Sequence, residues 1–219
     1  TGLFKIVNLT AYITDEKEIV VQTLDTYYSS SSNYFDITKH IDKESAIIDN
    51  VLPYKQINFS YEDTDSFLAK NHLQTFKKNW GGLDYEAGSK YDGDVYEVEL
   101  PFAHFKYERL LDVTGGSQTN VQWGWAVDEK QEAYEHAPLL FYPKYATGTT
   151  ISVLNGAGVA SSQTAYFVPS NALYLDNDIS GNDTSDNINF NAEINEYEAK
   201  PYNKTLFEKY YKTYIEEVF

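Results

Sequence analysis

Lys55-Gln56-Ile57-Asn58-Phe59-Ser60-Tyr61 is the stretch whose reading sets the fold class. Successive side chains of an extended chain point to opposite faces. Ile57, Phe59 and Tyr61 therefore share one side, and Gln56, Asn58 and Ser60 the other. Strict period two reads as a half-buried strand. The same alternation recurs at 94–100, where Tyr96, Val98 and Leu100 oppose Val95, Glu97 and Glu99. It recurs at 121–127 with Val121, Trp123, Trp125 and Val127 on one side and Gly124 at a position suited to a bulge. At 188–194, Ile188, Phe190, Ala192 and Ile194 are expected inward, against Asn189, Asn191 and Glu193. Residues 3–13 and 18–24 read as two further strands about an Asp15-Glu16-Lys17 turn. The Asn/Gly/Ser/Thr-rich stretches 144–165 and 176–187 read as loops.

Two segments have helical period instead. Over about 66–78, Phe67, Leu68, Leu73 and Phe76 make an apolar stripe. Asp63, Thr64 or Asp65 is the expected cap, and Gly81-Gly82 the expected stop. Over about 206–219, Thr205 and Glu208 have capping-box spacing. Leu206, Phe207, Tyr210, Tyr211, Tyr214 and Ile215 form a broad stripe, expected to cover a sheet or a neighbouring subunit. The expected fold is mainly β (α+β): barrel-like antiparallel sheets of short strands with two amphipathic helices, 66–78 and 206–219. The chain divides into an N-terminal β segment (1–51), a β region with the inserted helix (52–143), and a loop-rich β region ending in the second helix (144–219).

The 219 residues include 17 Lys+Arg against 33 Asp+Glu, a formal net charge of −16. Arg109 is the only arginine. That balance opposes phosphate-neutralising nucleic-acid binding and docking on anionic lipid. No apolar run approaches the roughly 18 residues of a membrane-spanning helix, so membrane insertion is not expected. Cys 0 excludes disulfides, thiolate catalysis and Cys-ligated metals. With 20 Tyr, 12 Phe and 3 Trp, the chain is too aromatic for a disordered one. Met 0, and an apolar helical end at Val218-Phe219, read as marks of a fragment.

No catalytic residues or cofactor are expected. There is no G-x-S-x-G elbow, H-E-x-x-H pair or phosphate-binding glycine loop. His104, between aromatic neighbours, reads as structural. In so acidic a chain, Glu193/Glu196 and Glu97/Glu99 carry little glycosidase signal. Asp176, Asp178 and Ser180 match the opening of a Ca²⁺-binding loop, D-x-D-x-S-G. Its twelfth position is Asn187 rather than Glu, so a plain surface loop is favoured over a metal site. Sequons at Asn8, Asn58, Asn182 and Asn203 are ordinary for an Asn-rich chain. Trp80, Trp123 and Trp125 could stack on sugars, but the alternation places Trp123 and Trp125 in a core.

Four segments taken in order resemble virion structural proteins of tailed bacteriophages, of the tail or baseplate hub kind. They are Leu52-Pro53-Tyr54 through Phe67-Leu68-Ala69-Lys70 to Trp80-Gly81-Gly82-Leu83-Asp84-Tyr85; Pro101-Phe102-Ala103-His104-Phe105 through Asp112; Trp123-Gly124-Trp125 with Pro138-Leu139-Leu140-Phe141-Tyr142; and Ile188-Asn189-Phe190 with Glu193 and Glu196, then Leu206-Phe207, Tyr210-Tyr211 and Tyr214-Ile215. The resemblance implies a β-barrel hub scaffold, built as a ring. The breadth of the Tyr-rich 206–219 stripe leads to an expected homo-oligomer, a trimer or alternatively a hexamer. The resemblance also implies partners among other tail or baseplate proteins, a virion tail location, and no enzymatic chemistry. Glu97 and Glu99 are candidates for an acidic lumen wall that leaves passing DNA free to slide. A carbohydrate-binding β module is the alternative, and a tail-associated hydrolase the third reading.

Overall fold

The computed structural model describes residues 2–30, 36–42, 47, 54–86, 93–111, 118–124, 127–128, 130, 132–133, 135–172, 186–192 and 204–218. In chain order the elements are α1 (Gly2–Ile6), β1 (Leu9–Ile13), β2 (Ile19–Thr23), α2 (Leu24–Ser29), β3 (Tyr54–Asp63), α3 (Phe67–Phe76), β4 (Leu83–Glu86), β5 (Asp94–Ala103), β6 (Glu108–Leu111), β7 (Gln118–Trp123), β8 (Tyr142–Leu154), β9 (Ala160–Ser170), α4 (Leu206–Tyr210) and α5 (Lys212–Val218). A 3₁₀ turn lies at Thr38–His40. The fold is mainly β with short helices.

The alternating 55–61 stretch becomes β3, the middle strand of a three-stranded sheet ordered β4-β3-β5. Ile57, Phe59 and Tyr61 of β3 and Val98 and Leu100 of β5 supply its buried face. Phe190, Leu206, Phe207, Tyr211 and Ile215 cover that face, with Ile6 at its edge. Phe59 sits at the centre, its ring 4.8 Å from those of Phe190 and Tyr211 and 5.6 Å from that of Phe207. A buried Phe contributes roughly 1.5–3 kcal/mol over an exposed one. This aromatic cluster is thus the centre of stability.

Several expectations need correction. β3 pairs with β4 antiparallel but with β5 parallel. A parallel pair needs a crossover of a dozen or more residues, and α3 and β4 lie in the connection that provides it. The described strands form one three-stranded and three two-stranded sheets, and no closed barrel among them. Residues 2–6 are helix α1 rather than the start of a strand. The alternation expected over 188–194 fails in its described part, 188–192, because Asn187 and Asn189 are as buried as Ile188 and Phe190, while Ala192 is exposed; Glu193 and Ile194 lie outside the described residues. Backbone bonds decide this: Phe190 N–H donates to the Gly81 carbonyl (2.8 Å), and Leu206 N–H to the Asn189 carbonyl (2.9 Å). Buried polar groups with partners are tolerated in a core. The expected 144–165 loop is in fact most of the β8–β9 hairpin, the longest antiparallel pair described.

The helices also depart in detail. Helix α3 ends at Phe76, with Lys77 in the left-handed region (φ 58°) closing it, before Gly81 is reached. Ser66 precedes it as cap residue without a side-chain bond. Phe76 is exposed, Phe67, Leu68 and Leu73 are half-buried, and Ala69 is the fully buried position. The C-terminal helix breaks at Tyr211 into α4 and α5. Its Thr205 cap is present, with the hydroxyl accepting from Glu208 N–H at 3.2 Å.

Candidate functional site

The residues that carry chemistry fall into four places: a buried histidine, an acidic sheet face, a tyrosine-lined cavity and two exposed hairpins. His104 follows β5 and is fully buried. Its ring stacks on Tyr61 (centroids 4.2 Å apart) and lies nearly parallel to Trp80 (5.9 Å). One ring nitrogen, Nε2, bonds to Asn189 Oδ1, and Nδ1 is buried without a partner among the described residues. Burial lowers the pKa from 6.5 to about 4, against a smaller opposing effect of the Asn189 bond. A neutral, enclosed imidazole cannot reach a substrate, so His104 serves packing, as its sequence setting indicates.

Glu97 and Glu99 stand exposed on the outer face of β5. Asn58 Nδ2 donates to Glu97 Oε1 at 2.9 Å across the parallel pair. Asp84 and Glu86 of β4 join them on that face, since Asp84 and Glu97 both pair with Asn58. Sequence reading missed these two carboxylates. The L-D-Y-E alternation at 83–86 carried the signal, but four residues are too few to declare a strand alone.

The cavity holds about 440 Å³ and lies between α1, the β3–β5 pair and α5. Tyr54, Tyr96, Tyr211 and Tyr214 line it, with Lys5, Asn8 and Glu97 as polar wall residues. All three polar residues are already engaged. Lys5 Nζ donates to the Glu99 carbonyl, Asn8 Nδ2 to the Tyr210 carbonyl (both 3.0 Å), and Glu97 accepts from Asn58. The Tyr211 hydroxyl donates to the Lys5 carbonyl, and burial raises its pKa well above the usual phenol value. These walls hold no adjacent nucleophile and base. From Tyr214 a row of rings runs outward: Tyr28 at 5.7 Å, then Tyr27 at 5.3 Å, then Tyr12 at 5.2 Å.

Of the two roles expected for the stripe at 206–215, cover for a sheet or an interface with a neighbouring subunit, its buried residues take the first. Leu206, Phe207, Tyr211 and Ile215 are buried in this chain's own core, leaving Tyr210 and Tyr214 half-buried at its margin. The sheet face of β3 and β5 is large and aromatic enough to use the stripe internally. Exposed apolar surface lies elsewhere. On β1–β2, Ile13 (70% exposed) pairs with Ile19 (74%), next to Val21. On β8–β9, Tyr145 and Phe167 face each other 5.2 Å apart, 61% and 71% exposed.

Asp176, Asp178 and Ser180 lie outside the described residues, as do Glu193, Glu196, Asn182, Asn203 and Trp125. Among the described residues no group of three His, Asp or Glu could hold a metal ion. Trp80 is buried. Asn8 has a positive φ and is committed to its bond with Tyr210. No helix among the described residues is long and apolar enough to cross a membrane. No family model, curated protein or solved structure matches the chain.

Proposed function

We propose that this chain is a non-enzymatic structural subunit of a bacteriophage tail or baseplate hub, forming a ring that joins the tail tube to the baseplate or spike. The observation that carries this reading is the exposed apolar surface of the two hairpins, Ile13, Ile19 and Val21 on one and Tyr145 and Phe167 on the other. Exposed large apolar side chains paired across a hairpin suit an interaction site, and closed symmetric assembly pairs such faces. The ring is a trimer, with a hexamer as the second choice, and its other partners are neighbouring tail or baseplate proteins in the virion tail. Barrel closure belongs to the ring, where strands of adjacent copies complete the open sheets. On this reading the face bearing Glu97, Glu99, Asp84 and Glu86 lines the lumen. Carboxylates there repel phosphate and leave DNA unbound. Native mass spectrometry tests the reading directly: the full-length protein gives three- or six-fold mass, whereas a single-copy mass at micromolar concentration excludes it.

A second reading rests on the tyrosine row from Tyr12 to Tyr214 and the cavity beside it. Tyrosine rings with a polar margin suit a carbohydrate-binding module. On that reading, soluble bacterial glycans raise the melting temperature, and Tyr28→Ala abolishes the shift.

A further inference from the structure

We propose that the β8–β9 hairpin is a self-assembly arm, pairing along its open strand edges with the same hairpin of a second copy of this chain. The inference rests on the self-assembly part of the hub reading and names the element that performs it.

Charge distribution gives the first reason. Between Lys144 and Asp176 the sequence has no Asp, Glu, Lys, Arg or His. The whole net charge of −16 is therefore carried outside the distal arm. Two such acidic bodies repel each other, at distances set by salt screening. An uncharged projection can meet its copy without adding to that repulsion.

Edge chemistry gives the second reason. The β8–β9 sheet has two strands among the described residues, so each strand keeps one edge without a β partner. Natural proteins guard such edges with charge, proline or bulges. Here the prolines sit at the base, where Pro143 pairs with Pro169. The register irregularity lies midway, between Thr147 and Ile151. Beyond it, Ile151–Leu154 and Ala160–Gln163 pair regularly with no charge and no proline.

Stability gives the third reason. An isolated two-stranded ribbon is marginal in water, and additional strands stabilise it. The tip is nevertheless well defined. Asn155 Oδ1 accepts from Ala157 N–H (2.9 Å) and Val159 N–H (3.0 Å), and Gly158 takes a positive φ of 76°. This turn holds Leu154 and Val159 exposed on its flanks. Addition of a second arm by β-augmentation satisfies the open edges and covers these side chains together. Hydrocarbon would leave the edge N–H and C=O groups unsatisfied, so a bilayer is the poorer occupant.

Because the chain has no cysteine, single thiols report proximity cleanly. Ser152→Cys and Ser162→Cys, opposite each other on β8 and β9, are each treated with a bifunctional maleimide, with Lys78→Cys on the body as control. Light scattering of the full chain is measured in parallel at rising salt. The expected result is a covalent dimer from the arm variants and not from the control. Association should strengthen with salt as the acidic bodies are screened, and Ser152→Lys should weaken it about tenfold or more by charging the edge. Oligomers that form without arm cross-links and ignore Ser152→Lys overturn the arm while leaving the hub reading standing. A monomer at every salt concentration overturns both. Arm thiols that respond only to added phosphatidylglycerol–phosphatidylcholine vesicles overturn the inference in favour of a lipid partner.

Discussion

Gly81 and His104 show how single residues fix the packing of distant segments. Gly81 has a φ of 72°, and a Cβ added there would lie 2.4 Å from His104 Cδ2. Both torsion and space demand glycine. Its carbonyl also anchors Phe190 N–H. Gly81→Ala should therefore destabilise the fold by about 2–4 kcal/mol in urea titration, combining the left-handed torsion with displacement of a buried ring. An effect below half a kilocalorie would show that the ring yields freely. The histidine makes stability depend on pH. Its folded pKa of about 4 lies below the ordinary 6.5, so between these values the unfolded chain binds the extra proton. Stability is fully present above about pH 6.5 and falls as pH drops toward 4, by roughly 3 kcal/mol at one pKa unit per 1.36 kcal/mol. The stability gap between the parent protein and His104→Gln should narrow by that amount from pH 7 to pH 4. A gap independent of pH would mean that His104 is not the group responsible. The structural role of His104 was legible from Phe102 and Phe105 beside it. Its partners Trp80 and Asn189 were not, because sequence distance hides them.

At the scale of elements, strands with one dry face were easiest to read. The alternation at 55–61 survives intact in β3, because Ile57, Phe59 and Tyr61 all face the buried core, where the one polar atom among them, the Tyr61 hydroxyl, donates to the Ile188 carbonyl. The β8–β9 hairpin was misread, since Gly, Ser, Thr and Asn serve a solvent-exposed ribbon as readily as a loop. Parallel pairing of β3 with β5 left no local mark, as register depends on the crossover rather than on either strand. In the last helix the apolar stripe and its two possible roles are visible in the sequence, but the break at Tyr211 and the choice of the intramolecular role are not. That role predicts a cost: Phe207→Ala should destabilise by about 3–5 kcal/mol, as for other buried aromatic truncations, measured by denaturant unfolding of the isolated protein. A loss under 1 kcal/mol would show that the helix needs another subunit to be buried. Helix α3 offers the opposite sign. Lys77 occupies a left-handed torsion that glycine adopts without strain. Lys77→Gly should raise stability by about 0.5–1 kcal/mol, read as a higher melting temperature.

At the scale of the whole molecule, the core is concentrated where β3 and β5 meet α4, α5 and the 186–190 segment, while the two hairpins leave apolar side chains in water. The acidic face on β4 and β5 and the uncharged β8–β9 arm divide the surface into a part that repels its copies and a part that does not. The proposed closed ring would reconcile the two, with arms joined and carboxylates turned to a common lumen. Electron microscopy of negatively stained full-length protein at about 10 μM tests this most directly. The account predicts closed rings of three copies, or six, with a central opening. A field of single particles of one-copy mass, unchanged when salt is raised to screen the acidic bodies, would contradict it.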